Sequence, residues 1–408
     1  MGRSYGDAAS LAGGVLAETS GMNRVLSLDA ASKTLRAEAG ASLDKIIKAA
    51  LPLGLFVPVT PGTRQVSLGG AIAADIHGKN HHVEGSFGRH VRSVTLSGPT
   101  GTSTINPATD PELFWATVGG MGLTGVVVQA EIAMIEVETS FIRVDTERAR
   151  NLDEAMSLMQ QGDDQYRYSV AWIDCLARGG NLGRAVLTRG DHASIDELSA
   201  KARNNPLAFH PRRGPAAPGW VPSGLLNRFS VAAFNEAWYR KAPKRELGRI
   251  TPLSSFFHPL DGVRDWNRLY GPRGFLQYQF VVPFGAEDVL RRSIERLSKG
   301  RFASFLAVLK RFGDASPAPL SFPMPGWTLA LDIPISSGEL GPLLDSLDED
   351  ITAAGGRTYL AKDSRLPREL LARQYPRLEE WRTARQKADP EGMICSDLCR
   401  RLDLAGHH

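Results

Sequence analysis

PGTRQVSLGGAIAADIHGKNHH, residues 61–82, packs two glycine turns, a short apolar run and a cluster of histidines into one stretch. Backbone N–H groups in consecutive glycine turns form concave nests that bind anions. Glycine serves there because it takes positive φ and lets a ligand approach the backbone closely. The two nests in this stretch are Pro61-Gly62-Thr63-Arg64-Gln65 and Ser67-Leu68-Gly69-Gly70-Ala71, and a third lies at Gly2-Arg3-Ser4-Tyr5-Gly6-Asp7. Any one of them alone reads as an ordinary tight turn. Three together, followed by histidines, point to a pyrophosphate. The segment from Ala73 to His82 contains Asp75, His77, Lys79, His81 and His82, all groups that carry protons or hydrogen bonds. The residues alone leave two readings of it open. One is a metal site, although no spacing matches a standard ligand pattern. The other is a loop that faces a cofactor ring.

Working outward, glycines crowd the first 130 residues and separate short apolar runs such as Leu51 to Val59, Val91 to Leu96 and Val126 to Val128. Such punctuation predicts strands and short helices joined by tight turns. Ser42 to Leu51 reads as a helix with Ser42 as its N-cap and Leu43, Ile46, Ile47 and Ala50 on one face. From about residue 142 the texture changes. Helices are expected over Leu152–Met159, Ala286–Leu297 and Gly341–Ala354, and strands over Tyr168–Ile173, Phe275–Val282, Phe302–Leu309 and Trp327–Ile333. Pro367 to Leu404 reads as mostly helical. The order is α+β followed by α+β without βαβ alternation, which disfavours a Rossmann fold. Three parts are expected: 1–141, 142–356, and a closing segment 357–408.

Composition narrows the class. Hydrophobic residues at 42% and charged residues at 23% exclude a disordered chain. A net charge of +4 is too mild, taken globally, for nucleic-acid binding. No apolar run is long enough to span a membrane, and the opening Met1–Asp7 has neither the basic start nor the apolar stretch of a signal peptide. Cys175, Cys395 and Cys399 are too few and too scattered for a disulfide framework and lack the partners of a zinc site.

Two further patterns stand out. Gln277 and Gln279 are two apart on an expected strand and share a face, with Leu276, Tyr278 and Phe280 on the other. A solvent-facing polar stripe is the bland reading. Residues 205–255 show no clean period. Within them Arg212, Arg213, Arg228, Arg240, Lys241, Lys244, Arg245 and Arg249 face only Glu236 and Glu246, and Trp220, Phe229, Phe234, Trp238 and Tyr239 interleave. This suits an anionic bilayer or a lipid phosphate, or else a solvated loop with a few buried aromatics.

GRSYGD (2–7), residues 61–82, GSFGRHVRS (85–93) and ELFWATVGGMGLTG (112–125) together resemble the vanillyl-alcohol-oxidase type of FAD domain. HPLDGVRDWNRLYGPRGFLQYQF (258–280), PLSFPMPGW (319–327) and YLAKDSR (359–365) are similar to the decaprenylphosphoryl-β-D-ribose oxidase family, and the likeness covers essentially the whole chain. The resemblance implies an α+β fold: an FAD-binding domain and a substrate domain on an antiparallel sheet with flanking helices, with the closing segment 357–408 returning to the FAD domain. It implies FAD contacts at Gly2, Arg3, Ser4, Tyr5, Gly6, Asp7, Gly62, Ser67, Leu68, Gly69 and Gly70. Further contacts are implied at Ala74, Asp75, Ile76, His77, Val127 and Tyr359. FAD is expected to be held without a covalent bond, with His77 only packing near it.

Lys362, Gln279, Lys310 and His77 are the implied catalytic residues, and Lys362 is either the proton acceptor or a cation beside the reduced flavin. Tyr5, Lys79, Arg268, Gln277, Phe257, Thr328 and Ala330 are implied on the substrate side. A lysine in an apolar run, as at Lys310, is costly unless paired or functional. The implied reaction oxidises the 2'-hydroxyl of a lipid-linked ribose. A separate nicotinamide-dependent reductase would then complete an epimerisation to the arabinose donor for the cell wall. The expected location is the periplasmic side of the cell envelope in peripheral contact with the membrane, with the cytoplasm as the alternative, and residues 205–255 are expected to be mobile until lipid binds.

The chain departs from the family pattern in three places. Relatives carry a further segment ahead of GRSYGD, whose loss would expose sheet edge and weaken flavin binding. Many relatives have asparagine and cysteine where this chain has Thr328 and Ala330. Phe257 stands where tyrosine is common. Two other functions remain in contention: a sugar-lactone or alditol oxidase of the same fold with a soluble substrate, and a flavin-free partner subunit.

Overall fold

The computed structural model describes residues 1–211, 214–302, 304–335 and 339–406. Arg212 and Arg213 of the basic stretch and Ala303 of an expected strand lie outside the described residues.

The first layer is a five-stranded antiparallel sheet of β1 (Val25–Asp29), β2 (Thr34–Glu38), β3 (Val91–Gly98), β4 (Gly101–Ile105) and β5 (Val126–Ala133), in the order β1-β2-β5-β3-β4. The helix Leu43–Ala50 packs into its core through Leu43, Ile46, Ile47 and Ala50, the i, i+3, i+4, i+7 stripe of one helix face. It starts where expected because the Ser42 hydroxyl accepts from the Lys45 N–H.

The second layer is an eight-stranded antiparallel sheet. Its strands are β6 (Phe141–Ala149), β7 (Tyr168–Ile173), β8 (Ala185–His192), β9 (Arg245–Pro252), β10 (Phe275–Val282), β11 (Ala307–Phe312), β12 (Gly326–Pro334) and β13 (Arg357–Thr358). They run in the order β9-β6-β8-β7-β11-β12-β10-β13. Helices Leu152–Gly162, Glu287–Lys299 and Leu340–Ala353 cover one face, burying Tyr278, Phe280, Leu309, Trp327, Leu329 and Leu331. The side-chain period of two then sends Gln277, Gln279, Thr328, Ala330, Asp332 and Lys310 to the opposite face. The register agrees: Gln277 lies opposite Asp332, Gln279 opposite Ala330, and Lys310 opposite Thr328.

Three helices, Arg368–Gln374, Leu378–Ala388 and Asp397–Leu402, close the chain. They pack back onto the first layer, where Trp381 Nε1 donates to the Ala116 carbonyl at 2.9 Å. Arg401 pairs with Asp7 at 2.8 Å and thereby ties the opening loop to the last helix.

Two segments differ from the sequence reading. The strand expected from Phe302 starts at Ala307, because the Phe302 N–H still bonds to the Leu297 carbonyl as part of the preceding helix's terminal turn. Within 205–255 the structure forms the helix Arg228–Lys241 and the edge strand β9. Only Val231 and Asn235 of that helix are buried, so its apolar residues follow no single face, while an Asn227 capping box starts it.

Candidate active site

His77 is placed by a strained turn. Asp75 sits at φ 39, in the left-handed region, with its carboxylate fully buried. It accepts from Ser86 Oγ at 2.7 Å, Ser321 Oγ at 2.6 Å and the Gly88 N–H at 2.8 Å. These bonds lock the loop, and the His77 ring enters an aromatic box of Phe312, Phe322 and Tyr359 at centroid distances of 4.8, 5.9 and 5.7 Å. Its Nε2 lies 3.0 Å from Gln279 Nε2 and its Nδ1 lies 3.2 Å from Lys310 Nζ. Next to this pair, the Gln277 amide donates to Asp332. The Lys362 ammonium lies 5.9 and 6.0 Å from the ring centroids of Tyr5 and Tyr359.

The electrostatics are those of a crowded, dry cationic site. Burial, then the Lys362 and Lys79 cations, pushes Lys310 down to about 7. Burial also lowers Lys362 to about 8, with the Asp332 carboxylate pulling the other way. Lys79 falls to about 7 through burial alone. Asp332 is pushed up to about 6 by burial, opposed by its bond from Gln277 and by Lys362. Burial and the neighbouring lysines hold His77 well below its ordinary value, so the ring is neutral. Several groups therefore titrate near neutrality, as proton transfer to or from a bound substrate requires.

The three glycine loops converge beside this cluster. Arg3 Nε donates to the Gln65 carbonyl at 3.2 Å, and the Tyr5 N–H donates to the Ala361 carbonyl at 3.1 Å. Gly6 presses so closely on the chain before Ser364 that an added Cβ would fall 1.6 Å from the Asp363 carbonyl oxygen. In the Gly-Gly loop, Ser67 Oγ accepts from the Gly70 N–H, and the N–H groups of Leu68 and Gly69 already bond to Ala41 and Ala39. The Ser67 N–H of this loop has no acceptor among the described residues and stays available to an anion. The N–H groups of Ser4, Gly6, Gly62 and Thr63 have no acceptor among the described residues. Gly2 and Gly62 are open, and Val127 backs Gly69 from the core. Gln277 Oε1, Gln279 Oε1, Asp332 Oδ2 and Tyr270 Oη are buried and unpartnered among the described residues. Buried polar atoms are rarely left so. Unsatisfied acceptors on one wall and free backbone donors on the other fit a dinucleotide cofactor and a hydroxylated substrate.

The structure thus brings together His77, Gln277, Gln279, Thr328, Lys310, Lys362, Tyr5 and Tyr359, whose hydroxyl donates to the Ala74 carbonyl at 2.8 Å. Other named residues have structural work. Asp7 is held in its ion pair, Asp75 braces the His77 turn, and Ile76 is core. Lys79 donates to the Phe256 carbonyl and its ammonium lies 4.2 Å from that ring's centroid. Phe257 packs in the core against Phe56 and Tyr168, and Arg268 pairs on the surface with Asp265. Neither joins the cluster. Ala330 presents only a methyl opposite Gln279. Asp332, Phe312, Phe322 and Tyr270 were missed by the sequence reading. Parity was the available signal for Asp332, since it shares the phase of Thr328 and Ala330 in an otherwise apolar strand.

A five-stranded domain with glycine loops, abutting the polar face of a large antiparallel sheet, defines a flavin-dependent oxidoreductase of the vanillyl-alcohol-oxidase type. Residues 1–105 match the family model described as FAD binding domain, and residues 340–402 match that for D-arabinono-1,4-lactone oxidase. The solved 6-hydroxy-D-nicotine oxidase of Arthrobacter nicotinovorans shares the fold. It has a TM-score of 0.59 and 16% identity over 94% of this chain and 81% of its own. The decaprenylphosphoryl-beta-D-ribose oxidase of Mycolicibacterium smegmatis is 45% identical over 407 residues, 99% of this chain and 88% of that one. The chain belongs to the decaprenylphosphoryl-β-D-ribose oxidase family. A Streptomyces coelicolor protein described only by its position in the mprA 5' region is 40% identical over 89% of this chain and all of its own length.

Proposed function

We propose that this chain oxidises the 2'-hydroxyl of a polyprenylphosphoryl-β-D-ribose to the 2'-keto sugar. The observation that carries the proposal is the pair of acceptors unpartnered among the described residues, Gln277 Oε1 and Gln279 Oε1, on one sheet face with Asp332 and Lys310 and lining one pocket with Lys362. FAD, when bound, supplies the acceptor for the hydride that leaves the carbinol carbon. The glutamine oxygens accept hydrogen bonds from sugar hydroxyls and orient the ring. Asp332 Oδ2, unpartnered and titrating near 6, takes the hydroxyl proton. Lys362 remains largely protonated at neutral pH and stabilises negative charge as it develops. His77 has both ring nitrogens engaged by Gln279 and Lys310, which supports FAD held without a covalent bond to this side chain.

The helix Arg228–Lys241 leaves Phe229, Phe234 and Trp238 exposed, and Trp220, in the segment that precedes it, stands 81% exposed. Arginine and lysine flank them, an arrangement suited to an anionic membrane surface that delivers a lipid-linked substrate. No helix among the described residues is long and apolar enough to cross a membrane, so contact would be peripheral, at the cell envelope. A separate nicotinamide-dependent reductase would take the keto product to the arabinose epimer.

The test is product trapping. After turnover of farnesylphosphoryl ribose, borodeuteride reduction should give ribose and arabinose epimers, both deuterated at C2. Recovery of undeuterated ribose alone contradicts the proposal. The match of residues 340–402 to a lactone oxidase model favours a second reading, a soluble aldonolactone substrate. Turnover of aldonolactones and not of the lipid-linked sugar would select it.

A further inference from the structure

The hydrogen placement around His77 is determined by a residue that touches neither ring nitrogen. Thr328 is fully buried on β12, and its Oγ1 donates to the Phe280 carbonyl at 2.8 Å. A hydroxyl has one hydrogen to give. The 3.0 Å contact between Thr328 Oγ1 and the Gln279 side chain must therefore be donated by the amide, which sets the Gln279 nitrogen toward Thr328. The same nitrogen lies 3.0 Å from His77 Nε2 and donates its second hydrogen there. Nε2 is then an acceptor, and a neutral imidazole carries its hydrogen on Nδ1. Nδ1 in turn faces Lys310 Nζ at 3.2 Å, and two donors cannot share that contact. Lys310 must accept it as a free amine.

We infer that Thr328 is a positioning residue that fixes, through Gln279 and His77, which atoms of the site accept and which donate. The chain of contacts runs from the Phe280 carbonyl through Thr328, Gln279 and His77 to Lys310. It has two consequences. Gln279 Oε1 is turned away from the relay and has no partner among the described residues, so the site offers an acceptor there and selects a ligand group that donates, such as a hydroxyl. Lys310 enters the ligand-free site as a neutral amine.

The charged and titratable surroundings agree. His77 is faced by Lys310, Lys362 and His81, and Lys310 by Lys362 and Lys79. His81 accepts from the Gly313 N–H on its own Nδ1 and is itself lowered by burial and Arg89, so it adds no charge at neutral pH. Asp332 acts on Lys362. Every charged neighbour of Lys310 named here is cationic, which also favours the amine.

The inference concerns hydrogen placement and does not depend on the substrate assignment. Its test is nitrogen NMR of histidine- and lysine-labelled holoenzyme, with His77 and Lys310 signals assigned by substitution. The wild-type protein and Thr328→Ser, which keeps the hydroxyl, should show hydrogen on His77 Nδ1. Thr328→Val removes the hydroxyl and frees Gln279 to rotate. It should move the hydrogen to Nε2 and raise the Lys310 midpoint by about one pH unit, because Nδ1 then accepts from an ammonium. A wild-type His77 protonated on Nε2 would overturn the inference even if the valine variant fails to fold. So would a folded valine variant with the wild-type tautomer.

Discussion

Asp332 carries the sharpest consequence for chemistry at the level of single residues. It lies on β12 opposite Gln277, receives one amide bond, and keeps Oδ2 free among the described residues. A carboxylate accepts a proton only when ionised, and burial raises this one to about 6. Turnover should therefore fall as pH drops through about 6, with the loss on the acid side and none from this group above it. Asp332→Asn should lower kcat by about 10²–10⁴-fold and abolish that acidic limb while flavin content stays unchanged. Steady-state rates between pH 5 and 9 check this, and an acidic limb that survives the substitution counts against Asp332.

The residues of this site were unequally legible. Gln277 and Gln279 could be paired from strand parity alone. Asp332 shares the phase of Thr328 and Ala330, but its pairing with Gln277 needed the β10–β12 register, which strand parity does not supply. His77 was visible within its histidine cluster, but its partners lie more than two hundred residues away. The free N–H groups of the Gly-Gly loop were expected to cradle phosphate, and backbone pairing with Ala39 and Ala41 has already used two of them.

At the level of elements, the opening loop matters through its contact with the segment that carries Lys362. Gly6 makes that contact possible, because a methyl there would overlap the Asp363 carbonyl. Gly6→Ala should push the two segments apart and cost about 1–3 kcal/mol of stability. Purified protein should show a reduced ratio of flavin to protein absorbance, and full flavin content would show that this approach is dispensable. The helix Arg228–Lys241 poses a different question. Phe229 and Trp238 are 70% and 46% exposed, so Phe229→Ser with Trp238→Ser should leave thermal unfolding nearly unaltered. Co-sedimentation with anionic vesicles should weaken, and added salt should weaken it further. Binding that ignores both changes places membrane contact elsewhere. This helix escaped the periodicity test because a surface helix that buries two residues leaves no hydrophobic stripe to read.

Across the whole molecule, two sheets divide the labour. The first carries the glycine loops, and the second has one face sealed by helices and the other left polar. The closing helices return to the first layer, with Trp381 and Arg401 as the pins. The α+β order and the glycine-rich start could be recognised in sequence, since both are local patterns. The return of the C-terminus was expected from the family resemblance, but no local pattern displays it, because it rests on contacts between the two ends of the chain.

The most direct test of the central claim is anaerobic mixing of the purified yellow protein with farnesylphosphoryl-β-D-ribose while the flavin absorbance is followed. The account predicts prompt bleaching by this compound and none by aldonolactones. Retained flavin that stays oxidised with the ribose compound, yet is reduced by a lactone, would contradict it.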